Sequence, residues 1–123
     1  MTGFDVVERA LTLLNYTTPT GVADAQQNAE QLRRGLPIVN TVLVDICHIR
    51  RVPIVQQESL ADPLPVDEDI ALRVMVPGVA MYLAQTENDG DNYNRFAAEY
   101  SSRRSSVAGE PRRVQDTSPR VWM

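Results

Sequence analysis

The sequence predicts an all-α protein: a small four-helix bundle with an irregular, proline-containing strap between helices 2 and 3 and an extended C-terminal tail. Apolar residues recur at helical spacing in four segments of the chain. Proline and glycine separate those segments, and residues 107–123 show no helical period. We therefore divide the 123 residues into a helical domain, 1–106, and a tail, 107–123.

The first helix is predicted over residues 3–15. Its apolar stripe consists of Phe4, Val7, Leu11 and Leu14, widened by Val6, Ala10 and Leu13. Thr2 and Asp5 have the spacing of a capping box, in which each side chain accepts from the other residue's N–H. Pro19 and Gly21 then end the helix.

The second helix is predicted over residues 23–50. Its apolar positions are Ala25, Ala29, Leu32, Leu36, Val39, Leu43 and Ile46. Pro37 lies inside this pattern, and proline lacks an N–H and crowds the carbonyl four residues back. Either the helix kinks there, or a new helix begins with Pro37 in its first turn. We favour one kinked helix.

The strap covers residues 51–66, which contain three prolines and no helical period. We expect an extended but ordered crossover, because its apolar side chains are too numerous to remain in water. These side chains are Val52, Ile54, Val55, Leu60 and Leu64.

Two further helices follow the strap. The third is predicted over residues 67–88, with Leu72, Val76, Val79 and Leu83 as its stripe. Pro77 and Gly78 mark a kink or a restart within it. The fourth is predicted over residues 91–106, with Tyr93, Phe96, Ala97 and Tyr100 on one face.

Composition excludes several classes of protein. The net charge is −4, which is unfavourable for a protein that binds duplex DNA through its phosphates. Residues 1–15 carry two acids where a secretion signal would be basic, and the single Cys47 cannot form an internal disulfide. No apolar run approaches the roughly 20 residues that span a bilayer. We expect a soluble, intracellular chain with no membrane partner.

The segment TENDGDNY, residues 86–93, resembles a calcium loop only superficially. An EF-hand loop that places Gly90 sixth would need a glutamate twelfth, and that position is Phe96. No partner for acid–base catalysis is near in sequence. We instead expect Gly90 to end helix 3 in the left-handed conformation, and Asp89 or Asp91 to cap helix 4.

Cys47 and His48 do not form a catalytic pair, because adjacent helical side chains point about 100° apart. Asp45 could pair with His48, but no nucleophile accompanies them, and we expect Cys47 to pack as a small hydrophobe. One His and one Cys are too few for a zinc site. We predict no enzymatic activity, catalytic residue, metal or cofactor.

All twelve cations of the chain are arginine, and eight of them form doublets. The doublets are Arg33-Arg34, Arg50-Arg51, Arg103-Arg104 and Arg112-Arg113. We expect the second and third doublets to lie at helix C-termini, where the helix dipole favours cations. The last doublet lies in the tail, where no helix is predicted.

The tail is the predicted partner-binding segment. Trp and Arg are the residues most enriched among interface hot spots, and the only Trp of the chain is Trp122. The predicted partner-binding residues are Arg112, Arg113, Arg120, Val121 and Trp122. The alternative is that Trp122 folds back onto the bundle.

Four stretches resemble the small head–tail connector (adaptor) proteins of tailed bacteriophages. They are ALTLLNYT, LPIVNTVLVDI, ESLADPLPVDED and PGVAMYLAQTENDGDNYNRFAAEYSSRR. The similarity covers residues 4–105, and the last stretch is the most specific. The arginine-rich tail does not match residue by residue.

The resemblance implies a structural protein of the virion neck, made in the host cytoplasm and without enzymatic activity. Copies would form a ring, expected to be dodecameric, beneath the portal protein, and would receive the next neck or tail-completion protein. Double-stranded DNA would pass through the ring without specific binding, with Glu87, Asp89 and Asp91 lining the channel. The alternatives are a phage assembly factor or tail-assembly chaperone absent from the finished particle, and a nucleic-acid-binding regulator.

Overall fold

The protein is all-α, as predicted, and its described residues form four helices packed together. The computed structural model describes residues 1–14 and 25–108, with side chains of the second helix from Arg33 onward. Helix α1 is Gly3–Leu13 and α2 is Ala25–Arg50. Helix α3 passes without a break through Glu68–Ile70, a π-helical turn at Ala71–Met75, and Val76–Thr86, and α4 is Gly90–Ala108. The described residues contain no strand, only an isolated bridge between Thr2 and Pro63.

Helix α1 begins with the predicted capping box. Asp5 N–H donates to Thr2 Oγ1 over 3.4 Å, and Thr2 N–H donates to Asp5 Oδ2 over 2.9 Å. Two residues of the predicted apolar stripe are not buried, which corrects the prediction at the edges of the stripe: Phe4 is 40% exposed and Leu13 is 43% exposed. The strap covers the side of α1 that carries Gly3, where an added Cβ would lie 2.8 Å from a methyl group of Leu60.

Helix α2 continues through Pro37 as one helix, as predicted. Pro37 is exposed, so its ring does not displace any core side chain. The predicted positions Val39, Leu43 and Ile46 are fully buried. Arg50 ends the helix as predicted, and Arg51 follows it in the left-handed conformation, with a φ of 57°.

Helix α3 contains a π turn directly before Pro77, so the predicted interruption is a widened turn rather than a break. The π turn adds one residue and rotates the preceding positions by about 100° relative to those that follow. Leu72 is consequently 40% exposed, contrary to the predicted stripe, whereas Val74 and Met75 are fully buried. Val79 and Leu83 are buried as predicted.

The turn between α3 and α4 differs from the prediction. Asn88, with a φ of 55°, is the left-handed residue, whereas Gly90 is the first residue of α4. Asparagine tolerates this conformation at a helix end, so glycine is not required. Asp89 caps α4 as predicted, because Asn92 N–H donates to Asp89 Oδ1 over 3.2 Å.

Helix α4 packs against α3 and α2 through Phe96 and Tyr100, which are 1% and 6% exposed. The ring of Tyr100 lies on Gly78, where an added Cβ would come within 2.7 Å of it. The helix continues two residues past its predicted end, to Ala108, and Val107 is 2% exposed, so from here on the tail means residues 109–123. Arg103 and Arg104 therefore lie within α4 rather than at its C-terminus, which corrects the predicted helix-end role.

Candidate interaction surfaces

The ionisable side chains inside the bundle tie helices together. Arg104 donates to both carboxylate oxygens of Asp45, over 2.5 Å and 2.8 Å, and the Tyr100 hydroxyl donates to the same carboxylate over 2.6 Å. The hydrogen bond from Arg104 lowers the pKa of Asp45, and burial raises that of Tyr100. Asp45 thus joins α2 to α4, and His48, its predicted alternative partner, is exposed.

Within residues 1–14 and 25–108, no three His, Cys, Asp or Glu side chains are grouped so that they could hold a metal ion. Cys47 is 3% exposed and packs in the core, as predicted for a small hydrophobe. No helix in that part of the chain is long and apolar enough to cross a membrane.

The three predicted channel-lining acids lie at the junction of α3 and α4, and they have different roles there. Glu87 Oε2 is 3.3 Å from Arg34 Nη1 of α2, with both side chains partly exposed. Asp89 accepts from the side chain of Asn92 over 2.7 Å in addition to capping α4. Asp91 is exposed in the first turn of α4. Glu87 and Asp91 therefore offer charge to the surface, and Asp89 is mainly a cap.

The strap is fixed to the bundle by polar contacts that the sequence did not indicate. Asn40 Nδ2 donates to Gln57 O over 2.9 Å, and Gln57 N–H donates back to Asn40 Oδ1 over 2.7 Å. Gln57 is 6% exposed, and its Nε2 donates to Asp62 O over 2.6 Å. Leu60 is buried and Leu64 partly buried, as predicted.

The first half of the strap is an exposed apolar surface, contrary to the prediction. Val52 is 36% exposed, Ile54 56% and Val55 48%. Backbone and side-chain hydrogen bonds hold the two ends of this segment, with Val52 N–H donating to Cys47 O over 3.1 Å and Gln57 N–H donating to Asn40 Oδ1 over 2.7 Å. We call Val52, Ile54 and Val55 the strap surface. A sequence pattern of apolar residues cannot distinguish a core contact from such a surface.

A second partly apolar surface lies between α1 and the first half of α3. It is a groove of about 510 Å³, with Leu13, Leu72 and Val76 as its apolar part. Asp5, Glu8 and Arg9 of α1 form its charged rim. The backbone N–H of Thr2 holds the Asp5 carboxylate and lowers its pKa, so Asp5 is anionic at neutral pH. We call this feature the α1–α3 groove.

The predicted partner-binding residues Arg112, Arg113, Arg120, Val121 and Trp122 lie outside the described residues. No protein-family model, curated protein or solved structure matches this chain. What the chain does is therefore inferred from its own sequence and geometry.

Proposed function

We propose that this chain is a head–tail connector of a tailed-phage neck, in which copies form a ring beneath the portal protein. The observation that carries the proposal is the strap surface, which exposes three branched apolar side chains on a segment fixed to the bundle. The all-α architecture is also the one that the resemblance over residues 4–105 implies. A ring subunit needs such a surface, because each copy must bury apolar area against its neighbours.

The tail supplies the second contact in this proposal. Arg112, Arg113 and Arg120 pair with carboxylates of the portal, and Trp122 fills an apolar pocket on it. Because Val107 is buried in the bundle, a variant that removes the tail should retain residues through Ala108.

The acidic turn faces the DNA channel in this arrangement. Glu87 and Asp91 are exposed there, and negative charge on a channel wall repels phosphates and lets DNA slide past. DNA thus passes through the channel without specific binding to its wall.

The strap surface is tested by replacing Ile54 and Val55 with serine in one variant. Because both side chains are exposed, the thermal stability of the bundle should not fall, whereas ring assembly on the portal should be lost. Phe4→Ser is the matched control, since Phe4 is a 40% exposed apolar residue of α1 and is not part of the strap surface. Unchanged ring assembly by the double variant, measured by electron microscopy of portal complexes, would contradict the proposal.

The tail is tested by pull-down of the portal protein with the full chain, Trp122→Ala and a chain ending at Ala108. Loss of portal binding in both variants supports the tail contact, and equal recovery by all three places the interface on the bundle. Mass spectrometry of purified virions distinguishes the alternative function. A chain absent from finished particles would be an assembly factor rather than a connector.

A further inference from the structure

The α1–α3 groove leaves two leucines in water that the sequence pattern assigns to the core. Leu13 is 43% exposed and Leu72 is 40% exposed, and both line the groove together with the buried Val76. The groove is open to solvent, and its volume of about 510 Å³ gives room for a large side chain to lie against these residues. Something apolar of that size would be stabilised there.

The C-terminal half of α4 contacts the same stretch of α3 that lines this groove. Helices α3 and α4 run antiparallel, and Arg103 Nη1 donates to the carbonyl of Arg73, the residue next to Leu72, over 3.2 Å. Helix α4 ends five residues later, at Ala108, so at about 1.5 Å per residue the tail begins within two helical turns of that contact. Trp122 is fourteen residues beyond Ala108. An extended segment of that length spans up to ~45 Å. The tail is thus long enough to return to the groove of its own chain.

The charges of the tail and the groove are complementary. Residues 109–123 contain three arginines against Glu110 and Asp116, and Arg120 directly precedes the apolar pair Val121 and Trp122. The rim of the groove carries Asp5 and Glu8 against the single Arg9. An apolar pair flanked by arginine therefore matches an apolar groove with a mainly acidic rim.

We propose that the C-terminal segment of each free chain docks into its own α1–α3 groove, with Trp122 against Leu13 and Leu72 and with the tail arginines facing Asp5 and Glu8. The inference concerns the chain before it meets any partner and does not depend on the connector function. A partner that binds the tail would have to displace it from the groove. Docking would therefore keep the apolar residues Val121 and Trp122 covered until that partner binds.

Trp122 is the only tryptophan, so its fluorescence reports on this contact directly. In the free full-length chain we expect blue-shifted emission and protection from acrylamide. Leu72→Glu should abolish both effects, because it places a charge in the apolar part of the groove. Phe4→Glu is the matched control, since Phe4 is also 40% exposed but does not line the groove. The tryptophan emission of this variant should equal that of the unmodified chain.

A charge reversal on the rim gives an independent test. Glu8→Arg should expose Trp122 to acrylamide, whereas Glu58→Arg, at an exposed position of the strap, should not. Both sites are on the surface, so circular dichroism should show an unchanged helical content. The rim variant keeps the proposal testable if Leu72→Glu does not fold.

Three results would overturn the proposal. Emission of the free chain that matches the urea-unfolded chain would mean that the tail is not docked. Protection that grows with protein concentration, together with a dimer in light scattering, would place Trp122 in the groove of a second copy. Protection in the free chain that survives both groove variants would place Trp122 elsewhere on the bundle.

Discussion

The side chain of Arg103 donates to the main-chain carbonyl of Arg73, over 3.2 Å, inside the π turn of α3 and four residues before Pro77. In an α-helix the carbonyl of Arg73 accepts from the N–H of residue 77, and Pro77 has none. Helix α3 forms a π turn at Ala71–Met75, shortly before this proline, and the guanidinium of Arg103 in α4 donates to the carbonyl of Arg73. Arg103 also pairs with Glu99 over 2.9 Å, which holds the side chain in place.

Arg103→Ala should lower the free energy of unfolding by about 1 kcal/mol, since it removes a hydrogen bond between a charged donor and a helix carbonyl. In a Pro77→Ala background the N–H of residue 77 is restored, so the same change should cost clearly less. Urea unfolding of the four proteins in this double-mutant cycle measures the coupling. Equal costs of Arg103→Ala in the two backgrounds would mean that Arg103 does not compensate for Pro77.

Asp45→Asn should destabilise the protein by about 1–2 kcal/mol at neutral pH, because it weakens a bidentate contact to Arg104. The expected loss of stability is modest because the side chains of Asp45 and Arg104 are 31% and 36% exposed, and solvent weakens the attraction between them. Tyr100→Phe, which removes only one hydrogen bond to the same carboxylate, should cost less.

The cost of Asp45→Asn should also depend on pH. The hydrogen bond from Arg104 lowers the pKa of Asp45 in the folded protein, so the unfolded chain binds this proton more readily. The stabilisation is fully present above the ordinary aspartate pKa of about 3.9, and it is lost as the pH falls through the lower folded value. Thermal unfolding of both proteins at a series of pH values should show their difference shrinking below about pH 4. A difference that stays constant down to acid pH would show that the carboxylate charge is not what stabilises the pair.

Gly78→Ala should destabilise the bundle by about 1–3 kcal/mol, because the added methyl group overlaps the ring of Tyr100 at 2.7 Å. Gly90→Ala is the matched control, since no atom lies within 4 Å of the added Cβ at the start of α4. That change should be neutral, or stabilising by up to about 1 kcal/mol, because alanine loses less backbone entropy on folding. Equal melting temperatures for the two variants would exclude close packing at Gly78.

Asn88→Val should cost about 1–2 kcal/mol, because a β-branched residue is strained at the φ of 55° found there. Asn88→Gly should be neutral or slightly stabilising, since glycine adopts this conformation freely. The urea midpoints of the two variants give the comparison. If both variants lose the same stability, the side chain of Asn88 matters rather than its backbone conformation.

Local chemistry was enough to predict much of this fold. The capping box of Thr2 and Asp5 and the cap at Asp89 use contacts within three residues, so the sequence contains both partners. The apolar spacing of Val39, Leu43 and Ile46 likewise predicts their burial, because a helix places them on one face whatever covers it.

The surfaces were not predictable in the same way. Phe4, Leu13 and Leu72 belong to apolar stripes, yet whether the edge of a stripe is covered depends on the rotation of the helix and on its neighbours. The π turn rotates Leu72 outward, and the strap covers the Gly3 side of α1 rather than the Phe4 side. The exposure of the strap surface was not predictable either, since the side-chain amide of Asn40 holds the main chain of Gln57 through a contact 17 residues apart in the sequence.

The sequence by itself determined that this chain is all-α, the positions of its four helices to within two residues and the caps at Thr2 and Asp89, because those features depend on contacts within one or two helical turns. Only the tertiary structure decided the partners of Asp45, the donor to the Arg73 carbonyl and the exposure of the strap surface and the α1–α3 groove. Asp45 and Arg104 lie 59 residues apart in the chain. Contacts at that separation depend on how helices pack, and local periodicity carries no information about which faces meet.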